Sequence, residues 1–200
     1  KRIADSKYLN WQWLAADFAP LFLDKVQDYH HKIPQDIDVL FTGSYLPWAT
    51  ERIETLKAVD EKFNLTIHSV TPNDWKAQGF KHVEGPVMDD QLPELIARAK
   101  INLSIAHTLE AGYWSDRNAQ IMCCGGYVLF RYVPLSEATF GAGIDYFYNI
   151  DDCLEKVQKA LDDNNHREFV AKIGYNQATY LNRLRVHGRV WDLLTIVGSI

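Results

Sequence analysis

Short apolar runs alternate with amphipathic stretches along most of this chain. The apolar runs have the length and the β-branched content of buried strands, and they lie at residues 37–42, 65–70, 101–106, 127–132 and in the second half of 141–150. Between them, hydrophobic residues recur at helical spacing, as at Ile53, Leu56 and Val59. Strands that are apolar throughout and alternate with helices are typical of parallel sheets with both faces covered. We therefore predict an α/β fold, a Rossmann-like parallel sheet with helices on both faces and a helical C-terminus.

Residues that favour helix ends bound several of the predicted helices. Pro47 suits the first turn of a helix over residues 47–63, and Asp151 suits the cap of a helix over 151–163. The pair Gly125-Gly126 is typical of the C-terminal cap of a helix over 115–124. Further helices are predicted at 92–100, as a short turn at 134–139 and as two helices within 167–197, while 83–88 is a short strand or a loop.

Charge and composition exclude several classes of protein. The net charge is −5 and the pI is about 5.8, which argues against a non-specific nucleic-acid binder, because such proteins carry a basic face. No apolar run approaches the roughly 20 residues that span a bilayer, and the N-terminus lacks the apolar core of a signal peptide. We therefore expect a cytoplasmic protein without a transmembrane segment.

The cysteines and histidines predict neither a disulfide framework nor a metal site. The three cysteines are an odd number, and no Cys/His spacing suggests zinc. We expect Cys123, Cys124 and Cys153 to be small buried residues in a reducing compartment.

The loops that follow the strands carry the candidate chemistry. Right-handed crossovers place these loops at one edge of the sheet, where α/β proteins bind ligands. Gly43-Ser44 follows the first strand, where a glycine either lets the backbone approach a ligand or simply makes a turn. Ser115, Asp116 and Arg117 open a helix, and the N–H groups and dipole of a helix N-terminus attract anions.

Arg117 stands where the helix dipole disfavours a cation, so its position needs an explanation. A phosphate would give it a bidentate partner, and so would a buried carboxylate; exposure to solvent is the third reading. Gln120 lies one helical turn further on and could face the same cleft. His107 ends a strand at the same edge and is either a catalytic residue or a polar bystander.

Two weaker candidates lie in neighbouring loops. Tyr113 and Trp114 could stack on a nucleotide base or be buried in the core. The loop over residues 141–143, with Asp145 after it, could contact a ligand.

The order of these segments resembles the C-terminal half of GT-B glycosyltransferases. The segments that carry the resemblance are DIDVLFTGS, LTIHSV, EGPV, LPELIARAKINLSIAH, SDRNAQIMCCGGYVLFRY and DYFYNIDDCLEKVQKAL. The nearest group is the bacterial group 1/4 type described as spore-maturation glycosyltransferase-like. Its pattern Ser-x-Arg-x-x-Glu-x-x-x-x-Gly is present here from Ser115 to Gly125, with Gln120 in place of the glutamate. The later His-Thr-Tyr signature is poorly kept around residues 183–189.

The resemblance implies a donor-binding domain for a nucleotide sugar. The donor diphosphate would lie at the start of the helix, held by Ser115, Asp116 and Arg117, with Gly43 and Ser44 nearby. Gln120 would meet the ribose or sugar hydroxyls, since an amide both donates and accepts hydrogen bonds. Catalysis would need no metal or other cofactor and would involve Arg117, with His107 as a second candidate.

The resemblance also implies a domain organisation, because GT-B enzymes hold the donor between two domains. Residues 1–35, which are rich in aromatics, would be a linker or strap to an N-terminal acceptor domain that this chain does not contain. Residues 36–182 would be the nucleotide-sugar-binding domain, and 183–200 a helix that crosses back to the acceptor domain.

Two other functions remain open at this point. One is a non-catalytic α/β nucleotide-binding or regulatory module, favoured by Gln120 and by the absence of an acceptor domain. The other is a nucleotide-sugar epimerase of the same two-domain architecture.

Overall fold

The computed structural model describes residues 33–87 and 91–178 of the 200-residue chain. The strap over 1–35, apart from its last three residues, and the crossing helix over 183–200 lie outside the described residues. The predicted domain boundaries therefore stay predictions.

Six strands form one parallel sheet in the order β3-β2-β1-β4-β5-β6. The strands are β1 (Ile37–Thr42), β2 (Leu65–His68), β3 (His82–Glu84), β4 (Ala99–Ser104), β5 (Val128–Arg131) and β6 (Asp145–Phe147). Val39 of β1 pairs with Leu65 on one side and with Ile101 on the other. The strand order therefore reverses between β1 and β4, and the parallel sheet is confirmed.

Helices connect the strands and cover both faces of the sheet. They are α1 (Thr50–Lys62), α2 (Pro72–Ala77), α3 (Leu92–Arg98), α4 (Asp116–Cys123), α5 (Glu137–Phe140) and α6 (Ile150–Asp162), followed by α7 over residues 164–178. A single turn of 3-10 helix, Gly141–Gly143, follows α5. No helix among the described residues combines the length and apolar character needed to cross a membrane.

Hydrophobic clusters pack on both faces of the sheet. On one face, Phe41 and Leu129 pack with Leu56 of α1 and Val157 of α6. On the other face, Phe130 packs with residues of α3, α4 and α7. The three cysteines are buried and free, and burial raises the pKa of each thiol to about 12. They are therefore packing residues, as the sequence predicts.

Several predicted boundaries are wrong for local hydrogen-bonding reasons. The first helix begins at Thr50, not at Pro47, because the N–H of Ala49 donates to the carbonyl of Leu46 (2.9 Å) and closes a turn before it. Asn149 caps α6 by accepting from the N–H of Asp152 (2.9 Å), so Asp151 is not the cap.

Two segments have a different structure from the one predicted. Helix α2 lies after the predicted strand at 65–70, where no helix was predicted, and Pro72 at its start was the missed signal. Ala99 belongs to β4 and pairs with Ile37, although periodicity placed it in the preceding helix.

The Gly125-Gly126 pair ends α4 as predicted. Gly125 has a φ of 62°, its N–H donates to the carbonyl of Met122, and that of Gly126 donates to the carbonyl of Ile121. These two bonds define a Schellman motif, which needs a left-handed residue where Gly125 lies. The motif fixes where the chain turns from α4 into β5.

Candidate functional site

A cavity of about 230 Å³ opens at the carboxyl edge of the sheet, beside the reversal of strand order. Open α/β sheets bind ligands at this edge. The cavity brings together Gly43, Ser44, Arg117 and Gln120, four of the residues predicted from the sequence. The remaining walls come from the ends of β1, β2 and β3 and the start of α3, namely Thr42, His68, Ser69, Val70, Pro86, Val87 and Leu92.

Arg117 reaches from the first turn of α4 across the end of β1. Its guanidinium carbon lies 4.9 Å from the centroid of the Phe41 ring, and its Nη1 donates to the carbonyl of Ile105 (3.4 Å). A Cβ on Gly43 would lie 2.7 Å from Nη2 of Arg117, so any other residue here would displace the guanidinium from its position. These contacts hold the cation in the cavity wall.

Trp75 fixes the position of the loop that carries Gly43 by a hydrogen bond and by ring packing. The indole Nε1 donates to the carbonyl of Gly43 (3.0 Å), and the ring, which is completely buried, packs edge-on against Phe41, Tyr45 and Phe80. The N–H of Gly43 in turn donates to the carbonyl of His68 (3.0 Å). Both backbone polar groups of Gly43, its N–H and its carbonyl, are therefore hydrogen-bonded within the protein, and they fix the backbone that lines the cavity.

Arg52 is a second cation beside the cavity, and the sequence analysis missed it. It is only 5% exposed, its guanidinium carbon lies 5.9 Å from the Phe41 centroid, and its Nε has no hydrogen-bond partner among the described residues. Arg52 shares the apolar face of α1 with Leu56 and Val59, at i, i+4 and i+7. A charged residue on an apolar helix face was the signal that could have revealed it.

The cavity is suited to a negatively charged ligand. None of the described residues that line it is aspartate or glutamate, whereas Arg117 lines it and Arg52 lies over the same phenyl ring. Two guanidinium groups near a helix N-terminus create a local positive potential in a chain that is acidic overall. The geometry therefore favours phosphate or carboxylate groups.

His107 lies at the same edge but does not line the cavity. It is exposed, and its Nδ1 lies 3.0 Å from the hydroxyl of Tyr113. Partial burial lowers the pKa of His107, the positive charges of Arg52 and Arg117 lower it further, and Glu110 acts in the opposite direction.

We expect the pKa of His107 to lie below the unperturbed value of 6.5 and to rise in Arg117→Ala, because one nearby positive charge is lost. Protonation then favours the unfolded chain, so the stability contributed by neutral His107 is complete above about pH 6.5 and is lost as the pH falls through the folded-state pKa. NMR titration of the ring protons measures both values, with His107→Asn to assign the signal. A midpoint above 6.5, or one that Arg117→Ala leaves in place, would contradict this electrostatic picture.

The described lining of the cavity does not include Ser115, Asp116 or Trp114. Ser115 precedes α4 as its N-cap, but its side chain makes no capping bond and its Oγ is buried without a partner among the described residues. Asp116 begins α4, and its side chain lies outside the described part of the structure. Trp114 is 9% exposed and packs on Phe140, so the core reading of this residue is the correct one.

The chain belongs to the glycosyl transferase-like family, whose model matches residues 50–195. No match was found among curated protein sequences.

Solved GT-B glycosyltransferases share the fold. A T4 phage BGT mutant in complex with UDP-glucose has a TM-score of 0.62 at 14% identity, over 80% of this chain and 50% of that one. Sucrose-phosphate synthase from Thermosynechococcus elongatus has a TM-score of 0.60 at 13% identity, over 86% and 49%. An α1,3-fucosyltransferase has a TM-score of 0.58 at 14% identity, over 76% and 44%. This chain therefore spans about half the length of the similar structures.

Proposed function

We propose that this chain binds a nucleoside-diphosphate sugar and serves as the donor-binding half of a metal-independent glycosyltransferase that transfers a hexose. The observation that carries the proposal is the position of Arg117, held against Phe41 and Gly43 in a cavity whose described lining contains no aspartate or glutamate. Membership of the glycosyl transferase-like family supports it. Two similar structures also support it: the T4 phage BGT mutant, which is described with UDP-glucose, and an α1,3-fucosyltransferase, which is described with GDP-fucose.

In this proposal each residue of the site contacts a particular part of the donor. Arg117, the N-cap residue Ser115 and the first N–H groups of α4, beginning at Asp116, hold the diphosphate and stabilise the negative charge that grows on it as the sugar leaves. Gly43, which lacks a side chain, lets the phosphates approach the loop closely, and Ser44 beside it supplies the polar contact. Gln120 hydrogen-bonds hydroxyl groups of the donor.

His107 is the second residue proposed to act on the reacting groups. Its lowered pKa keeps the imidazole neutral near pH 7, and a neutral imidazole can accept a proton from an attacking hydroxyl. This role needs the sugar to extend from the cavity towards the end of β4, where His107 lies.

The exposed apolar side chains support a partner domain at the carboxyl edge. Most of the large hydrophobic residues that are exposed in the described part of the chain follow strand ends at this edge, and they are Trp48, Val70, Leu109, Leu135 and Tyr148. An acceptor-binding half that closes over this edge would cover them and would exclude water from the donor. We propose further that the enzyme is of the spore-maturation glycosyltransferase-like type.

The proposal is tested by thermal unfolding and calorimetry with nucleotide sugars. We expect at least one of UDP-glucose, UDP-N-acetylglucosamine, GDP-mannose and GDP-fucose to stabilise the chain, by about 2.7 kcal/mol at a hundred times its Kd. CMP-sialic acid, which has a single phosphate, is the matched control and should stabilise it much less. The effect should be the same in EDTA as in magnesium chloride.

Two outcomes would contradict the proposal. If no nucleoside diphosphate or its sugar stabilises the chain, the cavity is not a donor site. If stabilisation requires a divalent cation, binding is not metal-independent. A non-catalytic nucleotide-binding module, which Gln120 favours, would bind the donor in the same assay but would show neither hydrolysis nor transfer.

A further inference from the structure

A second cavity, of about 280 Å³, lies between the edge strand β6 and helix α6. We call it the edge-strand cavity. Its walls include Tyr127, Asp145, Tyr148, Lys159 and His166. None of its described lining residues also lines the cavity at Arg117, which we call the donor cavity. Its size is just below the roughly 300–1,000 Å³ of pockets that hold drug-sized ligands, so it suits a single small ring.

A carboxylate is fixed at one end of the edge-strand cavity. Oδ2 of Asp145 accepts from the hydroxyl of Tyr127 (2.7 Å) and lies 2.6 Å from Nε2 of His166. Both contacts use the same oxygen, and Oδ1 makes no hydrogen bond with the described residues. The carboxylate is therefore oriented by the protein while keeping an oxygen that can accept from a ligand hydroxyl.

Two lysines of α6 supply positive charge and donors. Lys156 is already engaged, because its Nζ donates to the carbonyl of Tyr146 and to Asp152 (3.0 Å) and lies 5.3 Å from the centroid of Tyr148. Lys159 lines the same cavity, is exposed, and makes no such contact with described residues. Lys156 thus positions the Tyr148 ring, and Lys159 remains as a donor.

Tyr148 connects the cavity to the reacting edge of the sheet. It directly follows β6, is 53% exposed, and lies against Tyr132, with ring centroids 4.9 Å apart and planes tilted by 39°. The two rings make an aromatic surface at the carboxyl edge, which is also the edge where the donor cavity opens. A ligand in the edge-strand cavity could therefore extend towards the donor.

We propose that the edge-strand cavity binds one sugar ring of the saccharide acceptor, an identification of the ligand that rests on the proposed function. An aromatic face covers the C–H side of a pyranose, while Asp145, Lys159 and His166 offer the acceptors and donors that its hydroxyls need. The Asp145 carboxylate would repel a phosphate group, which makes this cavity less suited to a nucleotide than to a neutral sugar ring. Acceptor recognition is then shared between this chain and the partner domain.

The test measures glycoside binding to the full chain by saturation-transfer NMR in the presence of saturating UDP or GDP. The probes are the methyl glycosides of glucose, galactose, mannose, N-acetylglucosamine and glucuronic acid, the last of which distinguishes an acidic from a neutral sugar. We expect at least one to bind, with Tyr148→Leu weakening it by about tenfold and Lys159→Gln by about threefold. Phe169→Leu removes another exposed ring, which does not line this cavity, and should change nothing.

The controls separate this inference from the donor site. Arg98→Ala, at the opposite edge of the sheet, should leave glycoside binding intact, and calorimetry with UDP and GDP reports on the donor site alone. If nucleotide binds but no glycoside does, the inference is wrong while the proposed function stands. A glycoside signal that Tyr148→Leu leaves unchanged, or that inorganic phosphate abolishes, would also overturn it.

Discussion

Replacing Arg117 with alanine is expected to abolish measurable binding of UDP and GDP while the chain stays folded. A hydrogen bond to a charged group contributes about 1.5–3 kcal/mol, so losing a bidentate pair weakens binding by at least about a hundredfold. The loss of stability should be about 1 kcal/mol or less, because Arg117 is only half-buried and its removal leaves Phe41 packed against the core.

Calorimetry of the variants separates charge from geometry. Arg117→Lys keeps the positive charge but not the planar fork, so its affinity should lie between those of the alanine variant and the native chain. Arg98→Ala is the matched control, because Arg98 pairs with Asp36 at the opposite edge of the sheet and should leave nucleotide binding unchanged. Native affinity in Arg117→Ala would remove the assigned role.

Replacing Trp75 with alanine is expected to destabilise the chain by about 3–5 kcal/mol, the range measured for large aromatic residues deleted from cores. This is a large part of the roughly 5–15 kcal/mol that stabilises a typical domain. The indole is completely buried among three rings, and its Nε1 satisfies the carbonyl of Gly43. Because Gly43 forms the floor of the donor cavity, nucleotide affinity should fall as well.

Two further variants give this expectation its controls. Trp75→Phe keeps a ring but leaves the Gly43 carbonyl without its donor, so about 1–3 kcal/mol should be lost. Trp48→Ala removes a tryptophan that is 70% exposed and should change stability by no more than about 0.5 kcal/mol. Urea unfolding measures all three, and equal losses in Trp75→Ala and Trp48→Ala would contradict the packing described here.

Sequence patterns predicted the kind of fold because they reflect local structure. The apolar run at residues 37–42 has the bounds of β1 as observed, and the Gly125-Gly126 pair ends α4 where predicted. Boundaries were missed where a single hydrogen bond decides, as at Ala49 and Asn149. Helix α2, with six residues, was too short to show a period.

The candidate site was predictable only in part. Gly43 and Arg117 could be placed at one edge because parallel strands align their carboxyl ends. The pairing of Arg52 and Arg117 over one phenyl ring could not be predicted, because the three side chains come from separate elements. The same holds for the bond from Trp75 to Gly43, which joins residues 32 positions apart.

The sequence by itself determined the order of the strands and helices apart from β3 and α2, the edge at which the ligand loops lie, and the resemblance to the glycosyltransferases. Local periodicity and the handedness of crossovers are sufficient for these features. The tertiary structure alone decided that β1 lies between β2 and β4, that Arg52 stays buried beside Phe41, and that the edge strand and α6 enclose a second cavity. These features depend on contacts between residues far apart in the chain, which form only when the helices pack on the sheet.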